Sequence, residues 1–201
     1  MKKFFNKKFI VITAVALLLL VTVGSTLAYI FTMTDPVENT FTPSKVSCAV
    51  VENNNPDENR ADIVPNVSIK TNVQIKNTGD TDAYIRVAVV VNWMSTDGTK
   101  VWASKPVENT DYTIRYAENT GWEKGSDGYW YYTKPVPPTE GSNLTDILIN
   151  EAKVLEPAPL DGYYLSIEIV ASALQAKPAS VVTSQWGVTV ANDGSISKKG
   201  D

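Results

Sequence analysis

The sequence predicts an all-β protein, a jelly-roll or immunoglobulin-like antiparallel β-sandwich with one or two short helices, preceded by an N-terminal signal helix. Apolar residues beyond the N-terminal segment recur at every second position, which sends alternate side chains to opposite faces of a sheet. Turns rich in Asn, Asp and Gly separate these stretches, and helical patterns are sparse. Many strands without long amphipathic helices are typical of a sandwich or jelly roll.

The N-terminal segment has the pattern of a signal peptide. Residues 1–8 contain four lysines and no acid, and residues 9–23 are an uncharged apolar run. Small residues at Thr26 and Ala28 suit a signal peptidase, so we expect residues 1–28 to be removed by cleavage between Ala28 and Tyr29. A retained anchor is the alternative, because residues 9–34 carry no charge and could span about 30 Å of bilayer.

The charge limits the classes of binding partner, and the cysteine count limits the ways in which the fold can be stabilised. Cleavage would leave 14 basic residues of the 18 against 22 acidic ones, a formal charge of −8, which disfavours nucleic acid and anionic lipid. The membrane is then expected to matter only before cleavage. Cys48 is the single cysteine, so no intrachain disulfide forms, and its apolar neighbours predict a buried thiol rather than a reactive one.

The strands follow in order along the predicted sandwich, residues 37–194. Weaker signals cover residues 41–51, 69–76, 112–116, 129–133 and 188–190. Two long strands dominate, and we expect them to pair or to face each other. Their alternating apolar rows are Ala83, Ile85, Val87, Val89, Val91 and Trp93 in the first, and Tyr163, Leu165, Ile167, Ile169, Ala171 and Ala173 in the second.

Turns, helices and segment boundaries complete the expected organisation. Turns at 77–80, 96–98, 126–128 and 161–162 offer positive-φ positions. Residues 180–186 form the best helix candidate, after Pro178 and before Gly187, while residues 144–152 fit either a helix or a strand. We expect residues 29–36 to form an N-terminal strand and linker, and residues 195–201 a flexible C-terminal tail.

The sequence lacks the residues that most enzymatic mechanisms need. The chain has no histidine, which excludes Ser-His-Asp and Cys-His catalysis and histidine-based zinc sites, and we predict no catalytic residue, no metal and no cofactor. Glu168 could act in a glycosidase-like pair, but an outward strand carboxylate is the simpler interpretation. The acids and amides at positions 53–58 lack the spacing of an EF-hand, so a polar loop is expected there.

A run of aromatic residues is the best candidate for ligand contact. Flat rings can stack on sugars, although half of a strand must face inward. The candidate ligand-facing residues are Trp122, Tyr129, Trp130, Tyr131 and Tyr132.

Several short motifs, taken in order, resemble the TasA/camelysin family of secreted Gram-positive proteins, which a SipW-type signal peptidase processes. The segment from Gly24 to Phe31 is similar to the family's G-G-T-x-A-x-F, with Ser25 in place of a glycine. The further motifs are Asn39-Thr40-Phe41-Thr42, Asn77-Thr78-Gly79 with Ala83-Tyr84-Ile85-Arg86-Val87, Asp127-Gly128-Tyr129-Trp130-Tyr131-Tyr132, and Leu174-Gln175-Ala176 with Trp186-Gly187-Val188.

The resemblance implies a jelly-roll subunit of a biofilm-matrix fibre or pilin-like polymer, located outside the cell or on its surface. In such a polymer the N-terminal segment of one subunit completes the sheet of the next. That role would fall on residues 29–34, where Tyr29, Phe31 and Met33 alternate on one face. The partners would be the SipW-type peptidase, further copies of the chain and other matrix proteins.

Other functions remain open from the sequence. A monomeric surface adhesin or carbohydrate-binding module would use the aromatic run. The resemblance also brings a metalloprotease activity described for camelysins, although without histidine zinc would need carboxylate ligands alone. A Lys–Asn isopeptide bond would suit an extracellular β-domain, but the sequence does not single out its residues.

Overall fold

The computed structural model describes residues 44–53 and 65–197, and these belong to one compact unit that begins at Ser44. The expected signal peptide, its cleavage site and residues 29–36 lie outside the described residues. In the described ranges the chain forms ten strands and one helix. They are β1 Cys48–Val51, β2 Ser68–Asn77, β3 Ala83–Ser95, β4 Tyr112–Tyr116, β5 Trp122–Lys124, β6 Trp130–Tyr132, β7 Ile149–Val154, β8 Tyr163–Gln175, α1 Ser180–Trp186, β9 Thr189–Val190 and β10 Ile196–Ser197.

The strands form two four-stranded antiparallel sheets, so the predicted all-β sandwich is confirmed. The first sheet has the order β1-β2-β7-β4 and the second the order β5-β6-β3-β8. The two long strands pair with each other over their whole length, from Ala83 opposite Gln175 to Ser95 opposite Tyr163. A small hairpin of β9 and β10 follows the helix.

The main core lies between the two sheets, where the alternating apolar rows meet. From β3, Ile85, Val87 and Trp93 are buried in it, and Val89 and Val91 pack against it. Leu165 and Ile167 of β8 lie in the same core, as the period-two pattern predicted. Side chains from β2, β4 and β7 supply the opposite layer: Ile69, Val73, Ile75, Ile114, Ile149, Ala152 and Val154.

A second, smaller core covers part of the outer face of the β5-β6-β3-β8 sheet. Tyr84 and Tyr131 point outward from β3 and β6, and α1 and the β9–β10 hairpin bury them with Val182, Val188 and Ile196. The Tyr84 hydroxyl donates a hydrogen bond to the Gly194 carbonyl at 2.6 Å. This cluster corrects the expected C-terminal tail for residues 195–197, because Ile196 is buried and paired with Val190. The remainder of that expected tail, residues 198–201, lies outside the described residues.

The predicted helix ends where its sequence indicates. Gly187 has φ 67°, in the left-handed region, and its N–H donates to the Thr183 carbonyl. The ambiguous residues 144–152 contain no helix, and β7 begins at Ile149. The turn at 77–80 differs from expectation, since Gly79 has no positive φ; instead, a Cβ there would overlap the Lys45 carbonyl oxygen.

Candidate functional site

The outer edge of β8 has no strand beside it within the described residues. An immunoglobulin sandwich of the constant type has sheets in the orders A-B-E-D and C-F-G. Here β1-β2-β7-β4 has the first order, and β3 and β8 occupy the places of C and F, with the β6–β5 hairpin on the far side of β3. In the described part of the chain, the place of strand G is therefore open.

The register shows which backbone groups face this edge. Ala83 exchanges both of its backbone hydrogen bonds with Val136. The backbone N–H and C=O groups of the odd-numbered residues of β3 therefore point away from β8. Ala88 and its even-numbered neighbours consequently bond to β8, where Val170 lies opposite Ala88. The backbone N–H and C=O groups that face outward from the sheet edge on β8 therefore belong to its odd-numbered residues, Leu165, Ile167, Ile169, Ala171 and Ala173.

A cavity of about 310 Å³ opens beside this edge, between β8 and the end of β1. Val50, Ile167 and Ile169 give it apolar walls that continue into the main core. β1 approaches β8 here, but no ladder of hydrogen bonds joins them. Among the residues that the structure describes, no strand bonds to the outward backbone groups of this edge, which lie beside an apolar opening, and strand addition requires this combination.

A buried ion pair closes the inner side of the opening. Lys70 Nζ lies 2.9 Å from both carboxylate oxygens of Glu52, and the two side chains are 10% and 14% exposed. Because each charge would be costly to bury alone, the pair holds the segment after β1 onto β2. Sequence reasoning missed this pair, because no local pattern links residues 18 positions apart.

The aromatic run is divided between the two faces of its sheet. Trp122 is buried in the main core, and Trp130 and Tyr132 pack against it. Trp130 also stacks on Tyr116, with ring centroids 4.4 Å apart. Of the five candidate ligand-facing residues, these three therefore face the main core.

Tyr129 and Tyr131 face outward and meet a residue that the aromatic run did not include. Tyr131 packs against Trp186 with ring centroids 5.8 Å apart and an interplanar angle of 63°. The Arg86 guanidinium carbon lies 4.2 Å from the Tyr129 ring and 4.9 Å from the Trp186 ring. Arg86 Nε is buried without a hydrogen-bond partner among the described residues, while the guanidinium lies against the two rings and also interacts with the Tyr131 side chain, where it opposes the rise of the Tyr131 pKa.

A cleft of about 240 Å³ lies against this group, between the β5–β6 turn and the segment after α1. Its lining residues are Glu123, Gly125, Ser126, Asp127, Tyr131, Trp186, Gly187, Val188 and Ile196. The Tyr131 hydroxyl donates to Asp127 Oδ2 at 2.6 Å, and the Tyr129 N–H donates to Asp127 Oδ1 at 3.1 Å. Burial, and then the hydrogen bond to Asp127, raise the pKa of Tyr131, so its hydroxyl stays protonated at neutral pH.

The other candidate residues form no reactive group in the described part of the chain. Glu168 is exposed on the outer face of β8, as the simpler interpretation predicted. Cys48 is half-buried against the main core, and burial raises the pKa of its thiol. Asn53 is exposed, while positions 54–58 of the same loop lie outside the described residues.

Within residues 44–53 and 65–197, no three His, Cys, Asp or Glu side chains gather as metal ligands, and no helix has the length and apolarity to cross a membrane. No family model, curated protein or solved structure matches the chain.

Proposed function

We propose that this protein is a secreted structural subunit of an extracellular matrix fibre or pilus-like polymer, which assembles by N-terminal strand exchange after its signal peptide is removed. The observation that supports this proposal best is that, within residues 44–53 and 65–197, no strand pairs with the outer edge of β8, where an immunoglobulin sandwich has its last strand. Residues 29–34 of a second copy are the proposed occupant of that edge.

The N-terminal segment, residues 29–34, and the opening beside β8 have complementary apolar surfaces. Tyr29, Phe31 and Met33 share one face of an extended segment, and the opening beside β8 has apolar walls at Val50, Ile167 and Ile169. Burial of three such side chains is worth roughly 5 to 8 kcal/mol by area, before the ordering costs of association are subtracted. Ladder hydrogen bonds to Ile167 and Ile169 would add about 1 kcal/mol each.

Export would control when assembly begins. The resemblance to the TasA/camelysin family supports cleavage between Ala28 and Tyr29 by a SipW-type peptidase, which would free the strand outside the membrane. Before cleavage the same segment continues an apolar run that starts at Phe9. Premature polymerisation inside the cell would thus be avoided.

The test compares polymer formation by three chains that begin at position 29. The first is unaltered, the second carries Tyr29→Ser, Phe31→Ser and Met33→Ser, and the third carries Ile30→Ser on the opposite face as a matched control. Electron microscopy and size-exclusion chromatography should find polymer for the first and third chains and monomer for the second. Equal polymer from all three, or a monomer from the unaltered chain, would rule out strand exchange.

A further inference from the structure

The cleft beside Trp186 has the geometry of an aromatic corner. The Tyr131 and Trp186 rings meet at 63°, and they form two walls of the cleft. Val188 and Ile196 supply aliphatic surface at its base, where both are buried in the second core. Two rings set at a steep angle above an aliphatic floor can enclose a small apolar group on several sides.

The charges around this corner are unequal. Glu123 and Asp127 are the acidic residues of the lining, and both are exposed. Glu123 lies directly opposite Tyr131 on the outer face of the sheet, and Arg86 lies opposite Tyr131 on its other side. Arg86 is not among the lining residues and is stacked between Tyr129 and Trp186. The cleft therefore presents two carboxylates to its contents, while the Arg86 cation lies against Trp186 and Tyr131 without being part of the lining.

We propose that this cleft binds an alkylammonium group, a primary amine on a short aliphatic stem. The stem would contact Val188 and Ile196, and the ammonium group would lie near the Trp186 and Tyr131 rings with Glu123 as its counter-charge. A volume of about 240 Å³ is the share of roughly eight water molecules, which is room for a stem of four or five carbons. An anionic ligand would meet the two carboxylates and be repelled.

The walls of the cleft are held in place before any ligand arrives. Asp127 accepts hydrogen bonds from the Tyr131 hydroxyl and the Tyr129 N–H, which fixes the turn against the sheet. A Cβ at Gly125 would overlap Asp127 and Tyr131, so this turn requires glycine. Arg86 braces the Trp186 ring from outside the cleft. A rigid site loses less ordering free energy on binding than a mobile one.

Equilibrium dialysis tests the proposal on the chain that begins at Tyr29, because dialysis reads bound ligand whether or not the protein polymerises. The probe is n-pentylamine, and n-pentanol is its neutral match of the same length. We expect millimolar binding of the amine and at least five-fold weaker binding of the alcohol. Equal binding of the two would overturn the proposal.

Substitution of the counter-charge localises the site. Glu123→Gln is expected to weaken amine binding about five-fold, while the matched control Glu140→Gln, an exposed acid outside the cleft, leaves it unchanged. Because Glu123 is exposed, this change should not unfold the chain, and circular dichroism would check that. The same affinity in both variants would refute the assignment of the cleft.

A final pair of measurements distinguishes a free amine from a lysine side chain. N-acetyl-lysine methylamide presents the same group on a peptide, and Lys198 and Lys199 follow closely after Ile196 in the sequence. If the chain's own lysines use the cleft, Lys198→Gln with Lys199→Gln should tighten n-pentylamine binding. If affinity is unchanged and the lysine derivative binds as well as the amine, lysines of other polypeptides are the supported source.

Discussion

At the residue scale, Asn77 is the best example of a side chain whose role follows from its contacts. It is 1% exposed, and its amide group donates to the carbonyls of Thr81 and Val136, both at 2.8 Å. Its Oδ1 accepts from the Gly79 N–H at 2.9 Å. One amide thus joins the turn after β2 to the segment that pairs with the start of β3.

Replacement of Asn77 by alanine should lower the free energy of unfolding by about 3 kcal/mol, because buried backbone groups lose their partners. Urea denaturation followed by tryptophan fluorescence would measure it. Asn92→Ala, on the outer face of β3, is the control and should change stability by less than about 0.5 kcal/mol. A loss at Asn77 no larger than the loss at Asn92 would contradict this account.

Cys48 gives a second prediction at this scale. Burial raises the pKa of its thiol, and the side chain packs against the main core, so the reactive thiolate is scarce in the folded protein. We expect a maleimide to label the folded chain at least ten-fold more slowly than the chain in denaturant at the same pH. Equal labelling rates would mean that β1 exposes the thiol.

The candidate cleft shows where residue patterns stop being informative. The sequence placed Tyr129 and Tyr131 in an aromatic run, and period two predicted that half of that run faces inward. The sequence did not indicate that Trp186 contacts Tyr131, because Trp186 reaches Tyr131 only when α1 packs on the sheet. Long-range contacts of this kind leave no local signal.

At the element scale, the sequence predicted every strand of the described residues except β5, β7 and β10. β3, β4 and β8 were predicted from their spacing, and the helix at 180–186 from its flanking Pro and Gly. β5 and β10 span three and two residues, and their sequences show no apolar alternation. β7 was ambiguous because its core residues Ile149, Ala152 and Val154 do not keep period two, since the pairing of β7 with β4 shifts register between Arg115 and Tyr116.

The open edge of β8 allows a prediction for the element as a whole. Proline at Ala171 would remove an outward N–H without breaking a bond to β3, whereas proline at Val170 would remove a bond within the sheet. Ala171→Pro should therefore abolish polymer formation while the domain stays folded. Val170→Pro should lower the melting temperature markedly, as differential scanning calorimetry would measure.

Polymer from the Ala171→Pro chain equal to that from the unaltered chain would show that another edge accepts the strand. β4 would then be the next edge to test, since it is the outer strand at the far side of the first sheet.

At the scale of the whole molecule, the hydrogen bonds of three carboxylates make stability depend on pH in the acid range. Asp97 Oδ1 accepts from the Ser95 hydroxyl and from the Thr99 hydroxyl and N–H, which lowers the pKa of Asp97 from 3.8 to about 2. The Ser68 hydroxyl and Lys153 lower the pKa of Glu151, and the Ser195 hydroxyl and N–H lower the pKa of Asp193. The bonds of Asp97 and Asp193 hold the turns after β3 and between β9 and β10, and the bond of Glu151 joins β7 to β2.

A carboxylate whose pKa is lowered by folding stabilises the native state above its unfolded pKa, and that contribution is lost as the pH falls through the folded value. For Asp97 the window runs from 3.8 down to about 2. Thermal unfolding at several pH values should therefore show a melting temperature that falls steadily from pH 5 to pH 2. In Asp97→Asn and in Ser95→Ala the fall should be shallower, because the first removes the titrating group and the second its strongest hydrogen bond. If the melting temperature falls with pH as steeply in both variants as in the unaltered chain, other carboxylates, in the sandwich or outside the described residues, govern the response to acid.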